Sequence, residues 1–207
     1  AAVGDGTSDT WEIFQFAEAE LVAPQTWDLR LRLRGQAGTD GIMPVDWPAG
    51  SRFVLLDTAV SQIDLPPALL NVMRSYRWGP AARALDDPTY RTRQLAFRGI
   101  GLRPYRPAHL RARASGGDMS CTWTRRTRTG GDSWDGYDVP LGEASESYLV
   151  RVTVDGLLRR EVRVSQPAWT YSAAMQAADG TSGTRLLQVA QMSDQFGPGP
   201  FAAITLV

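Results

Sequence analysis

Three carboxylates recur at every third position in Gly130-Gly131-Asp132-Ser133-Trp134-Asp135-Gly136-Tyr137-Asp138, and clustered hard oxygens of this kind are what Ca2+ takes as ligands. The spacing of Asp132, Asp135 and Asp138 is not that of an EF-hand, whose ligands begin at alternate positions and end in a distal Glu. Asp also shapes turns by accepting hydrogen bonds from nearby backbone amides. Turn chemistry is therefore the expectation, with calcium as the alternative, and no cofactor is expected. Glu143 and Glu146 form a second candidate pair, because glycosidases set two carboxylates roughly 5 to 10 Å apart across a sugar. Closeness in sequence does not create that geometry. Beside Pro140 and ahead of a strand opening at Tyr148, both are expected in an interstrand loop, paired with arginines.

His109 is the only histidine and Cys121 the only cysteine. A histidine base needs an oriented nucleophile and an orienting acceptor, and the local sequence offers neither. Cys121 lies two residues before Trp123 in a predicted strand, where a cysteine behaves as a small hydrophobe. One cysteine also excludes an internal disulfide and a cysteine-based zinc cluster. Arg125, Arg126 and Arg128 beside Trp123 and Trp134 have the composition of a nucleic-acid stacking surface. The chain balances 22 cationic against 22 acidic residues, whereas a sequence-independent nucleic-acid binder carries a net basic footprint. No specific nucleic-acid binding is expected, and the arginines read as a solvated face or a protein interface. Trp134 and Tyr137 at the loop have the amphipathic rings that receive a sugar. With Arg126 and Arg128 they are the candidate receptor or partner contacts. No constellation meets the needs of catalysis, so a non-enzymatic chain is expected.

The elements that position these residues are strands. Hydrophobic residues make up 43% and charged residues 21% of the 207, a globular composition. No apolar run approaches the roughly 20 residues that cross a bilayer, and no basic-then-apolar signal opens the chain. Without an initiator Met, the chain is expected to be part of a longer polypeptide. Every cation is Arg and none is Lys; the guanidinium fork pairs bidentately with carboxylates and tolerates partial burial.

Ala1 to Thr10 reads as a linker entering a strand at Trp11, with Ile13, Phe14, Phe16 and Leu21 on its apolar side. Leu29, Leu31 and Leu33 alternate with Arg30, Arg32 and Arg34, a period of two that predicts leucines toward the core and arginines toward solvent or a partner. On that reading Leu31→Ala costs roughly 2 to 5 kcal/mol and Arg32→Ala at most about 1 kcal/mol. Gly35 to Gly50 is a long loop and Arg52 to Asp57 a short buried strand. Pro66 and Pro67 leave room for one helical turn, and Val72 to Trp78 and Gln94 to Arg98 are strands. After Pro104 and Pro107, seven segments read as strands: Ala108 to Ser115, Met119 to Thr127, Tyr148 to Asp155, Leu158 to Val164, Trp169 to Ala174, Arg185 to Ser193 and Ala202 to Leu206. Asp155-Gly156 between two alternating segments predicts a two-residue hairpin turn. The fold class is all-β: a small antiparallel β domain over 1–104, then an antiparallel sandwich over 105–207.

Several stretches carry a family resemblance in the order they occur. These are Trp11-Glu12-Ile13-Phe14-Gln15-Phe16-Ala17-Glu18-Ala19-Glu20-Leu21, then Leu29 to Gly35 with Gly38-Thr39-Asp40, then Trp123 to Trp134 with Val139-Pro140-Leu141-Gly142-Glu143, Glu146 and Tyr148. The order resembles the C-terminal region of tail-tip baseplate hub proteins from gene transfer agents and related long-tailed phages, the megatron-like or host-specificity-protein-like family. Gln188 to Ser193 with Gly197-Pro198-Gly199-Pro200 resembles the last strands of a fibronectin type III domain. The resemblance implies a phage-tail-hub type of β domain over 1–104, a fibronectin type III-like sandwich after it, and an inward-facing Trp123. It further implies a structural component of a tail-tip baseplate, a homotrimer touching neighbouring baseplate proteins of a DNA-delivering particle. The alternative is a glycan- or receptor-binding module displayed at that tip. A fibronectin-like domain usually places a Tyr near the position of Arg185, and this chain has none there, so the usual corner hydrogen bond is not expected.

Overall fold

The computed structural model describes residues 1–6, 10–131, 138–180 and 182–206. Contacts group the chain into two units, Ala1–Leu56 with Gly101–Val207, and Asp57–Ile100.

The first unit opens with β1 (Ala2–Gly4), β2 (Trp11–Ala23), β3 (Thr26–Gln36) and β4 (Arg52–Val54), all antiparallel in the order β3-β2-β1-β4. Ala2–Gly4 is thus an inner strand, where the sequence suggested linker; its Ala and Gly fit between two neighbours, and Gly4 lies hard against the Trp11 ring. β1 spans only Trp11 to Ile13 of β2, so from Gln15 onward β2 and β3 continue as a two-stranded arm. In the arm Gln15 faces Leu33, Ala19 faces Leu29 and Leu21 faces Trp27, while Phe16 faces Arg32 and Glu18 faces Arg30. One face is apolar and the other charged, as the alternation demands. The leucines nevertheless do not reach the core: Leu31 is 70% and Leu33 57% exposed, and Arg32 is exposed too. Period two decides which side chains share a face, and it cannot supply a layer to cover that face. Leu31→Ala therefore opens no cavity, and its cost falls within about 0.5 kcal/mol, as at other surface sites. The segment after Arg52 is likewise corrected. It pairs only over Arg52–Val54 with β1 and, as an edge strand, leaves Phe53, Val54, Leu55 and Leu56 exposed.

The base of the arm is fixed by a buried carboxylate. Glu12 is 1% exposed and accepts from Arg34 Nε and Nη2 at 2.9 and 2.7 Å, from Trp47 Nε1 at 2.7 Å and from the Gly35 amide at 3.2 Å. Burial acts to raise its pKa, and these donors outweigh burial and hold it below the usual carboxylate range. Arg34 also donates to the carbonyls of Pro44 and Val45 at 2.8 and 2.6 Å, which ties the loop after β3 to the sheet. Thr39, in a 3-10 turn over Thr39–Gly41, accepts from the Ile13 amide and donates to the Gln36 carbonyl through the same hydroxyl.

The second unit contains β5 (Met73–Trp78) paired antiparallel with β6 (Arg91–Ala96), preceded by a single 3-10 turn at Pro67–Leu69 where the two prolines allowed one. The Arg77 guanidinium lies over the Tyr90 ring, 5.4 Å from its centre.

The sandwich is built from β7 (Ala108–Ser115), β8 (Asp118–Thr124), β9 (Tyr148–Val154), β10 (Leu157–Val164), β11 (Ala168–Tyr171), β12 (Arg185–Ser193), β13 (Gly197–Pro198) and β14 (Ala202–Leu206). One sheet is ordered β11-β8-β7 and the other β10-β9-β12, with β13 and β14 both pairing β12. This is the fibronectin type III-like arrangement. Between the sheets lie Trp123, Tyr148, Val150, Val152, Leu187 and Val189. Trp123 meets Tyr148 edge to face, ring centres 5.2 Å apart, and its burial contributes roughly 2 to 3 kcal/mol. Cys121 is buried among them, its thiol pushed up to about 11 by burial, which keeps it protonated and inert. Asp155 and Gly156 both have positive φ, 49° and 80°, as a two-residue type I′ turn requires. Gly116 and Gly117 do the same between β7 and β8, at 60° and 94°.

Sequence and structure differ here at three places: β8 stops at Thr124, short of Thr127, the two-residue β13 is an additional strand, and one expected strand gives way to a helix. The strand expected to reach Ala174 stops at Tyr171, and Ala173–Asp179 forms helix α1, with the Ser172 hydroxyl accepting from the Met175 amide at 3.2 Å. A serine cap followed by alanines is a helix start. The helix places buried Asp179 where Arg160 reaches it bidentately at 2.7 and 2.8 Å and Tyr171 Oη donates to it at 2.9 Å. No tyrosine stands near Arg185 in sequence, and the Tyr171–Asp179–Arg160 cluster links β11 of one sheet to β10 of the other.

Glu12→Ala should cost about 3 kcal/mol, because it strands the Arg34 and Trp47 donors; chemical denaturation of the purified chain measures it. Glu12 and Asp179 both sit below their ordinary values of 4.5 and 3.8 in the folded state. Their stabilisation is complete above those values and is lost as pH falls through the lowered ones, since the unfolded chain then binds more protons. The midpoint of thermal unfolding should therefore drop below about pH 4.5, and drop less steeply in Asp179→Asn.

Candidate functional site

After β8 the chain leaves the sandwich through Arg125, Arg126 and Arg128, and it returns through Asp138 to Ser147 into β9. Arg125 holds the two sides together: it donates to the carbonyls of Pro140 and Val139, both at 2.8 Å, and to Asp138 Oδ2 at 2.7 Å. Asp138 accepts in addition from the Val139 amide, and the two bonds hold its carboxyl below the usual range. Arg126 reaches across the first unit to Asp40 Oδ2 at 3.1 Å and lies over the Tyr105 ring at 5.0 Å. Arg128 donates to Glu143 Oε1 at 3.1 Å and lies over Phe196 at 5.8 Å. All three arginines thus have carboxylate partners. The second oxygen of Asp40 is buried without a partner among the described residues.

The guanidinium groups line an open trough of about 450 Å3 with Gln36, Tyr105 and Thr127. Hydrogen-bond donors dominate it, with Tyr105 as its one aromatic residue, a lining suited to hydroxyls or carbonyls. Arg126, with a side chain 43% exposed, is its most accessible cation, and Arg128 is partly covered.

The other sequence candidates do not assemble around it. Glu143 is taken up by Arg128, while Glu146 accepts from Tyr148 Oη at 2.7 Å and lies 3.9 Å from Arg125 Nε. The two glutamates serve different arginines in an interstrand loop. His109 is exposed, with φ 52°, at an irregularity in the β7–β8 register. Trp134, Tyr137, Asp132 and Asp135 lie outside the described residues, so the suggested ring pair and carboxylate trio are represented by Asp138 alone. Among the described residues no group of three His, Cys, Asp or Glu side chains is placed to hold a metal ion.

Sequence reasoning missed Tyr105 in the lining of the trough, Asp40 as the partner of Arg126, and Glu12 as the buried charge at the base of the arm. Asp40 and Glu12 belong to the stretches that carry the family resemblance, which was the available signal; a lone Tyr between prolines gives none.

Residues 1–54 match the family model described as Rcc01698-like, C-terminal, a family associated with gene transfer agent proteins. The matched segment contains the arm, the Glu12–Arg34–Trp47 cluster and Asp40. None of the curated proteins matches the chain. Among solved structures the chain is similar to the extracellular region of rat CD45, domains d3–d4, at 12% identity and a TM-score of 0.35, over 80% of this chain and 79% of that one.

The glycines that turn the loop give a separable test. Gly130 has φ 64°, whereas Gly131 does not lie in the left-handed region, and a Cβ on Gly131 would sit 2.8 Å from Thr127 Cγ2. Gly130→Val and Gly131→Val should each lower stability by about 1 to 2 kcal/mol. Thr127→Ser removes the obstructing methyl, and it should rescue Gly131→Ala but not Gly130→Ala in thermal unfolding.

Proposed function

We propose that this chain is a non-enzymatic structural segment of a phage-like tail baseplate hub, contributing to tail-tip assembly and to DNA delivery into a host cell. The observation that carries the reading is the family match over the first 54 of 207 residues. The buried residues in that segment form a scaffold rather than a reaction centre. Glu12 has all its hydrogen-bonding partners inside the sheet and its loop, and the arginines near the sandwich end are engaged with carboxylates. A chain of this kind acts by assembly: it pairs with copies of itself in a homotrimer and with neighbouring baseplate proteins at the tip of a virion-like particle.

A second reading rests on the trough. Its exposed Arg126 and the Tyr105 ring have the polarity and π-face of a glycan subsite, and the loop bearing Trp134 and Tyr137 adjoins it in sequence. On this reading the chain is a glycan- or receptor-binding module displayed at the tail tip.

Gold-labelled antibody against this chain should decorate the tail tips of purified particles in electron micrographs; particles without label at the tip, from a preparation in which the chain is detected, would sink the assembly reading. A carbohydrate array probed with the isolated chain separates the second: binding weakened at least tenfold by Arg126→Ala would support it, and an array with no signal removes it.

A further inference from the structure

The outer face of the β11-β8-β7 sheet carries cations that nothing in the chain neutralises. Arg111 pairs across to Thr122 and Arg113 to Ser120, and all four are exposed. Among the described residues neither arginine has a carboxylate partner, whereas Arg125, Arg126, Arg128, Arg151 and Arg160 each have one. The three strands contain a single acid, Asp118. It stands four residues from Thr122 and already accepts from the Ala173 amide at 2.8 Å.

A bulge shapes a hollow on this face. The register shifts between Ala108, which faces Thr124, and Arg111, which faces Thr122, so His109 and Leu110 together stand opposite Trp123. Leu110 packs on the core, while His109 is exposed at φ 52°. Bulges re-aim a side chain in this way, and non-glycine residues held at positive φ cluster at binding and catalytic sites. The hollow has a volume of about 230 Å3 and is lined by His109, Arg111, Thr122, Trp123 and Thr124. It shares no residue with the trough.

We propose that this hollow binds the phosphate group of a phosphorylated sugar. The guanidinium fork of Arg111 matches paired phosphate oxygens, and an imidazole offers at least one N–H donor in either protonation state. Threonine hydroxyls both donate and accept, which suits the sugar hydroxyls beside such a group. Other bearers of phosphate fit less well. A nucleic-acid base needs a ring to stack on, and the one ring in the lining, Trp123, is buried against Tyr148. A bilayer needs apolar side chains to insert, and the lining presents no exposed one. The inference goes beyond both functional readings and needs neither.

His109 is the only histidine in the chain, so its ring protons give one assignable NMR signal. Inorganic phosphate is titrated to about 50 mM, which populates a site of millimolar Kd, at fixed pH and at an ionic strength held constant with chloride, because salt alone screens charge. The signal should move along a saturating curve. Glucose 6-phosphate should saturate it at a concentration about tenfold lower, and glucose should not move it. Arg111→Gln and Thr122→Val, both at exposed positions, are compared once their thermal unfolding matches that of the unaltered chain; each should weaken glucose 6-phosphate binding about tenfold. No saturable shift, the same shift with chloride, or binding that survives Arg111→Gln would overturn the proposal. Equal affinity for phosphate and glucose 6-phosphate, or tighter binding of a single-stranded oligonucleotide or of anionic phospholipid vesicles, would remove the sugar and with it the assignment. None of these outcomes bears on tail-tip labelling or on the carbohydrate array, which test the other readings at other residues.

Discussion

An ionised carboxylate removed from water has to be given donors or it loses its charge. Glu12 receives four hydrogen bonds from three residues, and those residues come from different parts of the chain: Arg34 and Gly35 at the end of β3, and Trp47 eleven residues into the loop that follows Gln36. Satisfying one charge therefore fixes the exit of the hairpin and the course of the loop together. Arg34 passes the constraint on by holding the Pro44 and Val45 carbonyls. The 3-10 turn at Thr39 is pinned to β2 by its own hydroxyl, and that turn presents Asp40 to Arg126. The most exposed cation in the trough is thus paired to a turn that is pinned to β2 at Ile13, one residue beyond the buried carboxylate.

The sandwich repeats the device. Asp179, like Glu12, is a buried acid held by the two arms of an arginine and by the polar tip of an aromatic ring, here Tyr171 in place of Trp47. Burial works against ionisation in both, and the donors win. Tyr171 responds in the opposite direction, its phenol raised to about 12, first by burial and then by the adjacent carboxylate, so the hydroxyl keeps the proton it donates. A chain whose cations are all arginine suits such clusters, because one guanidinium fork fills two lone-pair directions at once.

What was legible in the sequence was local. The strands, the Asp155-Gly156 turn and the inward Trp123 follow from periodicity, turn chemistry and resemblance, and each depends on a few neighbouring residues. The helix over Ala173–Asp179 escapes that reading, because the strand expected to Ala174 runs past Ser172, the serine that caps the helix. Leu31 and Leu33 failed for a different reason: alternation assigns a face, and burial depends on what the rest of the chain places opposite. Ala2–Gly4 is too short to show a period at all. The role of Glu12 was invisible because its partners lie 22 to 35 residues away, and nothing about a Glu between Trp and Ile announces that its charge is enclosed.

The paired turns Gly116-Gly117 and Asp155-Gly156 bear on the order in which the sandwich forms. Each closes a hairpin between strands adjacent in sequence with the shortest loop an antiparallel pair allows, so each meets the smallest loop-closure entropy. The β7–β8 and β9–β10 hairpins can consequently form in microseconds, independently of each other. β12 pairs β9 only after the chain has passed through β10, β11 and α1, and it is also the strand that carries β13 and β14. The pairing of β12 joins segments farther apart in sequence than either hairpin does, so it meets the larger loop-closure entropy.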